Sequence, residues 1–307
     1  MAQRPAFKLG LTLQFNHSEI LLPKTTPKIR NNSHAKKLQI FTNLNYFMNH
    51  STVANAEVVR LITIPISHYS EKVRWGLDLL KIPYIEERHV PAFHRFATRK
   101  HGGSTVPILV TKSGNFTDST DILHYLDTLN PESHGLYPKE PALRREVEEL
   151  EELFDARLGA DTRNWGYFYR SGDRKTMRRA WCNSTPVLER IGFEIAFPLI
   201  SAKVRQVYNI TADSAATSLQ GIREVFESVD RRLAGGKTYL VGDTISAADI
   251  TFAALAAPVL LPPEHPVMVS KIEKLPIAMA TVIRELQSTA AGVYALRLYR
   301  EQRQVKQ

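Results

Sequence analysis

From residue 58 onward, short β-branched runs alternate with stretches whose apolar residues recur at helical spacing. Val58 to Ile64 is one such run, stopped by Pro65, and reads as a central strand buried on both faces. Beyond it, Val73, Leu77 and Leu80 share one face of a helix, and the serines of Ser67-His68-Tyr69-Ser70 sit where a hydroxyl can accept an orphan N–H at the helix start. Pro83 to Val90 alternates as a second strand, and Ala92 to Lys100 predicts a short polar helix before the turn at Gly102-Gly103. Val106 to Val110 is a third strand. Its Pro107 cannot donate to a ladder and belongs at a first position, an edge or a turn where a cis bond is possible. Ser113-Gly114-Asn115 marks a hairpin, and Asp118-Ser119-Thr120 caps a helix from Asp121 to Leu129 with Ile122, Leu123 and Leu126 inward. The predicted order over residues 57–130 is β-α-β-α-β-β-α.

Three prolines and a glycine predict a linker over residues 131–141, and residues 142–300 are helical in pattern. Leu143, Val147, Leu150 and Phe154 recur at helical spacing, as do Ile222, Val225, Phe226, Val229 and Leu233. The one further strand the pattern offers is Tyr239-Leu240-Val241. Ser246 and Asp249 have capping-box spacing, with Asp in place of the usual Glu, and Ile245 and Ile250 can staple the same helix start. No apolar run reaches the roughly 20 residues of a membrane helix. Ala253 to Leu261 is broken by Pro258 and followed by Pro262-Pro263.

Composition narrows the chemistry. A single cysteine among 307 residues excludes an internal disulfide and a Cys-rich zinc site, so nothing favours an oxidising compartment. Of the formal net charge of +9, residues 1–56 supply +6, from seven basic residues against one acid. A near-neutral body with a basic leader argues against nucleic-acid binding, which needs clustered cations on the folded surface. The leader is rich in Asn, Ser, Thr and Lys and lacks the compact apolar block of a secretory signal. It reads as a disordered extension, either a transit peptide for a plastid or mitochondrion or sequence upstream of a start at Met48. The expected location is the cytoplasm, with an organelle as the alternative.

Three elements, in order and at matching spacing, carry a resemblance. They are Ser67-His68-Tyr69-Ser70-Glu71-Lys72-Val73-Arg74, Thr105-Val106-Pro107-Ile108-Leu109-Val110, and Asp118-Ser119-Thr120-Asp121-Ile122-Leu123-His124-Tyr125-Leu126. Residues 57–130 resemble the thioredoxin-like amino-terminal domain of cytosolic glutathione S-transferases. The Ser246–Asp249 cap is similar to a buried folding motif in that family's helical domain. The resemblance implies an α/β thioredoxin-like domain followed by an all-α domain, glutathione as co-substrate, a hydrophobic electrophile or a peroxide as second substrate, and a homodimer with a role in detoxification. The runner-up is a non-catalytic binding or assembly module on the same fold.

Glutathione chemistry needs a thiolate at neutral pH, and a hydroxyl at a helix N-terminus can stabilise one. Aligned on Lys72-Val73-Arg74, Ser67 occupies the position where tau-like and zeta-like transferases place a catalytic serine and omega-like enzymes a cysteine. Ser67 is the implied thiolate-stabilising residue, with Ser70 and Tyr69 as alternatives. Serine at both ends of the tetrad argues against thioltransferase activity, because no mixed disulfide can form there. His68 departs from the family, many of whose members carry proline at that position. For the other parts of glutathione, the Ser119 and Thr120 amides and the Asp118 carboxylate suit the γ-glutamyl group, and Val106 beside Pro107 suits the cysteinyl backbone. Arg95, Arg99, Lys100 and His101 compete for the glycyl carboxylate. The aromatic run from Asn164 to Tyr169 is divided between core and a pocket for the second substrate.

Other motifs lead nowhere. Gly235-Gly236-Lys237-Thr238 lacks both the first glycine and the preceding strand of a phosphate loop. His89, His94 and His101 lack companion ligands, so no metal is expected, and they read as a solvated face. Cys182 reads as structural.

Overall fold

The structure, a computed structural model, describes residues 58–129, 135–267 and 270–303. The leader of residues 1–56 and the first part of the expected linker, residues 131–134, lie outside them.

The first β-branched run forms β1 (Val59–Thr63), followed by α1 (His68–Leu79), β2 (Tyr84–Arg88), α2 (His94–Thr98), a 3-10 turn at Arg99–His101, the hairpin β3 (Ile108–Thr111) and β4 (Gly114–Phe116), and α3 (Ser119–Thr128). The sheet order is β2-β1-β3-β4. β1 pairs parallel with β2, from Val59 opposite Tyr84 to Thr63 opposite Arg88, and antiparallel with β3. This is the small mixed sheet of a thioredoxin-like unit, with β1 inside it. Leu61 and Ile62 are fully buried, as the unbroken apolar run requires. The Val106–Pro107 peptide is cis.

The remainder is helical: α4 (Pro141–Leu153), a π-helical turn (Phe154–Gly159), α5 (Ala160–Arg170), α6 (Arg174–Trp181), α7 (Val187–Val207), α8 (Ala212–Leu233), α9 (Ala247–Leu260), α10 (Ile277–Ser288) and α11 (Ala290–Gln302). α9 is apolar on every side and buried along nearly its whole length, as expected of a helix at the centre of a bundle. One core runs from Leu61, Trp75 and Leu123 beneath the sheet through Phe154 and Trp165 to Phe252 and Leu298.

Asp249, at the start of α9, is fully buried and accepts from the backbone and hydroxyl of Ser246, from the Leu240 amide at 2.8 Å and from the Tyr294 hydroxyl. This corrects the expected strand at Tyr239–Val241. No strand forms there, because the Leu240 N–H is taken by a carboxylate rather than by a ladder. The reading of His89 as solvated is also corrected. His89 is buried, with Nδ1 2.6 Å from Glu189 and Nε2 2.9 Å from Glu87, so it is tied into the fold rather than solvated. Among the described residues, no helix is long and apolar enough to cross a membrane.

Candidate active site

A cavity of about 280 Å³ opens where the start of α1 and the loop before the cis proline face α5 and α7. Ser67 lies on its wall as the N-cap of α1, and its Oγ accepts from the Ser70 amide at 3.2 Å. A hydroxyl has one hydrogen and two lone pairs, so this cap spends a lone pair and leaves the proton to donate. Ser70 is fully buried and does not reach the cavity. Tyr69 does reach it, but its hydroxyl donates to the Asp155 carbonyl at 2.8 Å, and burial pushes its pKa up to about 12.

The π-helical turn explains how α1 is held. In a π turn the carbonyls pair with amides five residues on instead of four. Two of them receive α1: Asp155 O from Tyr69, and Gly159 O from His68 Nε2 at 2.9 Å. A carbonyl can only accept, so His68 carries its proton on Nε2. Burial, with the nearby Arg163 charge adding to it, lowers the His68 pKa to about 3 and keeps the ring neutral. A Cβ at Gly159 would collide with the Tyr69 ring, so glycine is what permits this approach.

Beneath the same helix starts lies a fully buried lysine. Lys72 Nζ is 2.6 Å from Asp155 Oδ2 and 2.7 Å from Glu151 Oε1, and it donates to Thr120 Oγ1 at 3.2 Å. Thr120 Oγ1 donates in turn to Asp155 at 2.9 Å, and the Tyr137 hydroxyl donates to Glu151 at 2.6 Å. The network fastens the N-termini of α1 and α3 to α4, so both helix ends stand on one rigid base.

At the start of α3, Asp118 Oδ1 accepts from the amides of Thr120 at 2.8 Å and Asp121 at 3.3 Å. The Thr120 amide, expected to receive a ligand carboxylate, is thus already engaged by the cap. Ser119 is buried and Asp118 exposed, and neither lines the cavity. Val106 does line it, while Pro107 is buried beneath. Of the four cations proposed for the glycyl carboxylate, Arg95 alone is on the cavity wall.

The aromatic run divides as a helix must. Trp165 is 1% exposed and packs into the core with Tyr169, while Tyr167 lines the cavity. Sequence reasoning missed the residues beside it. Arg163, Tyr167 and Arg170 stand at i, i+4 and i+7, one face of α5, and all three line the cavity with Lys203 and Tyr208. That spacing was the available signal, hidden because residues 164–169 were read as one cluster. Cys182 lies away from the cavity in a small core with Val90, Met177, Trp181 and Phe193, where burial pushes its thiol up to about 11. Among the described residues, no cluster of His, Cys, Asp and Glu is arranged to hold a metal ion.

Residues 61–134 match the family model "Glutathione S-transferase, N-terminal domain", and residues 189–276 match "Glutathione S-transferase, C-terminal domain". The chain belongs to the glutathione S-transferase family. Its structure is similar to that of a glutathione transferase from Phanerochaete chrysosporium, at 15% identity, covering 82% of this chain and 100% of that one, with a TM-score of 0.55. It is similar also to the β-etherase LigF of Sphingobium sp. strain SYK-6, at 19% identity over 78% and 99% of the two chains, with a TM-score of 0.51. A glutathione S-transferase of Ceriporiopsis subvermispora, solved in complex with glutathione, matches at 18% identity over 81% and 99%, also at 0.51. At such identities the likeness concerns the fold. None of the curated protein sequences matches the chain significantly.

Proposed function

We propose that this family member is an enzyme that binds glutathione at the N-terminal ends of α1 and α3 and ionises its thiol with a hydrogen bond from Ser67. The observation that carries this reading is the placement of Ser67: on the cavity wall, with its oxygen engaged in capping and its proton uncommitted. Support for Ser67 over its alternatives comes from the burial of Ser70 and from the donation of the Tyr69 proton to a backbone carbonyl. The positive end of the α1 dipole adds to the stabilisation of a thiolate. Asp118 Oδ2 has no part in the helix cap and suits the γ-glutamyl ammonium, the Ser119 amide suits its carboxylate, and the Val106 backbone suits the cysteinyl amide. Arg95 takes the glycyl carboxylate.

The reaction is nucleophilic. The thiolate sulfur forms a bond to an electrophilic carbon, and the electron pair of the bond it breaks leaves with the departing group or moves to the neighbouring atom. With a peroxide as second substrate, two glutathione thiols become one disulfide while the peroxide is reduced to an alcohol and water. The cavity between α1 and α5 holds the second substrate beside Ser67. Dimerisation of two copies belongs to the same reading.

The test is a pH titration of the thiolate absorbance of bound glutathione, comparing the full chain with Ser67→Gly. Glycine is tolerated at an N-cap at a cost of a few tenths of a kcal/mol, so this variant removes the donor with little damage to the helix. The expected result is a bound thiol ionised well below the free thiol's range in the wild type, rising by about one pH unit or more in the variant. An unchanged titration removes Ser67 from the chemistry. Failure of glutathione to bind leaves the fold as a binding or assembly module.

A further inference from the structure

The cavity wall contributed by the helical region carries cations, and no carboxylate stands beside them on that wall among the described residues. Among the described residues, none of the side chains lining the cavity is an Asp or a Glu, while Arg163, Arg170 and Lys203 all line it. Arg170 is buried, and its guanidinium is held by neutral groups: Nε donates to Gly166 O at 3.1 Å and Nη2 to Pro258 O at 3.2 Å. Burial lowers its pKa to about 10, with no carboxylate acting against it. A Cβ at Gly166 would strike Arg170 Nη2, so the fold reserves room for this group. Arg163 is half-buried, stacks at 4.2 Å over the Tyr208 ring, and has a buried Nε without a hydrogen-bond partner.

A guanidinium removed from water needs a counter-charge to offset its desolvation, and a planar fork with an unused N–H edge matches a carboxylate. The rest of the wall is apolar, including Ile64, Ile66, Ile200 and Val204. Resting on the transferase reading, we propose that the second substrate has an apolar body and a carboxylate or similar oxyanion, bound by Arg163, with Arg170 as a second positive charge close by. The site thereby selects anionic acceptors over neutral ones of the same shape.

The experiment is a calorimetric titration of the full chain with 4-phenylbenzoate and with 4-phenylbenzamide, which differ in charge at nearly equal size. Both are titrated with and without saturating glutathione, and glutathione is titrated separately. The expected result is that the wild type binds the carboxylate about tenfold or more tightly than the amide, with glutathione present. Arg163→Gln should bring the two affinities together, and Arg163→Lys should restore part of the difference. Equal affinities in the wild type overturn the proposal, whatever the stability of the variants. So does a preference that survives in folded Arg163→Gln, or one that vanishes when glutathione saturates the site. If glutathione fails to bind while the preference holds, the transferase reading falls and the anion site stands. If glutathione binds and no preference is found, this inference alone falls.

Discussion

Arg74 and Arg303 are buried like Arg170, yet their surroundings are opposite. Arg74 lies 2.6 Å from Glu71 and 2.8 Å from Glu86, and Arg303 lies 2.7 Å from both Glu71 and Asp78. The buried cations Lys72, Arg74 and Arg303 around α1 are therefore each met by carboxylates, from α1 itself and from elsewhere in the chain. Around the cavity, the partners of Arg163 and Arg170 among the described residues are carbonyls and ring faces. The first arrangement fixes the position of α1, and with it Ser67. The second leaves positive charge to be met by whatever enters. Burial of a cation alone therefore says little about its role, and the partner decides.

The contrast can be tested by removing one cation from each region. Arg303→Met removes the cation that Glu71 and Asp78 share on one face of α1, and should cost about 3–5 kcal/mol of unfolding free energy, read from urea melts. Arg170→Met removes a cation that had no counter-charge, and should change stability by no more than about 1 kcal/mol or raise it. A loss as large as that for Arg303→Met would erase the distinction. A separate effect appears in acid. The folded pKa of His68, about 3, lies below its ordinary 6.5. The stability linked to its neutrality is therefore complete above pH 6.5 and lost as the pH falls toward 3, since the unfolded chain takes up the proton first. Glu71 behaves alike in a lower window. Burial opposes its ionisation, but Arg303 and Arg74 hold it at about 2 against an ordinary 4.5, so its contribution is complete above 4.5 and lost as the pH falls through 2. His68→Gln, whose amide can still reach Gly159 O, should flatten the fall in stability between pH 6 and 5 by up to about 1.4 kcal/mol per pH unit. Urea melts across that range would show it.

The β-α-β-α-β-β-α order was legible because each element carries its own period and its own stop. Val58–Ile64 ends at Pro65, and Asp118 announces α3 before its first turn. The burial of Glu71, Lys72 and Arg74 was not legible from a helix whose inward face is Val73 and Leu77. Their partners include Glu86, Glu151, Asp155 and Arg303, and the last stands 232 positions from Glu71. No local pattern encodes a pairing at that range. His89 was misread for the same reason, since Glu189 lies 100 positions away. Ser67 and Val106 could be singled out because helix caps and proline turns are local. The cavity's far wall depended on how α5 is rotated, which a run of aromatic letters does not reveal.

That rotation is set in the turn just before α5. A π turn holds one residue more than the α-helix it interrupts, so Phe154–Gly159 works like a phase shift between α4 and α5. Removing a single residue there, and letting regular winding resume, would turn everything downstream by about 100° about the axis. Arg163 and Tyr167 would rotate away from the cavity, and Trp165 would rotate out of the core. The extra residue held in one turn thus sets which side chains face the cavity, without changing any of them.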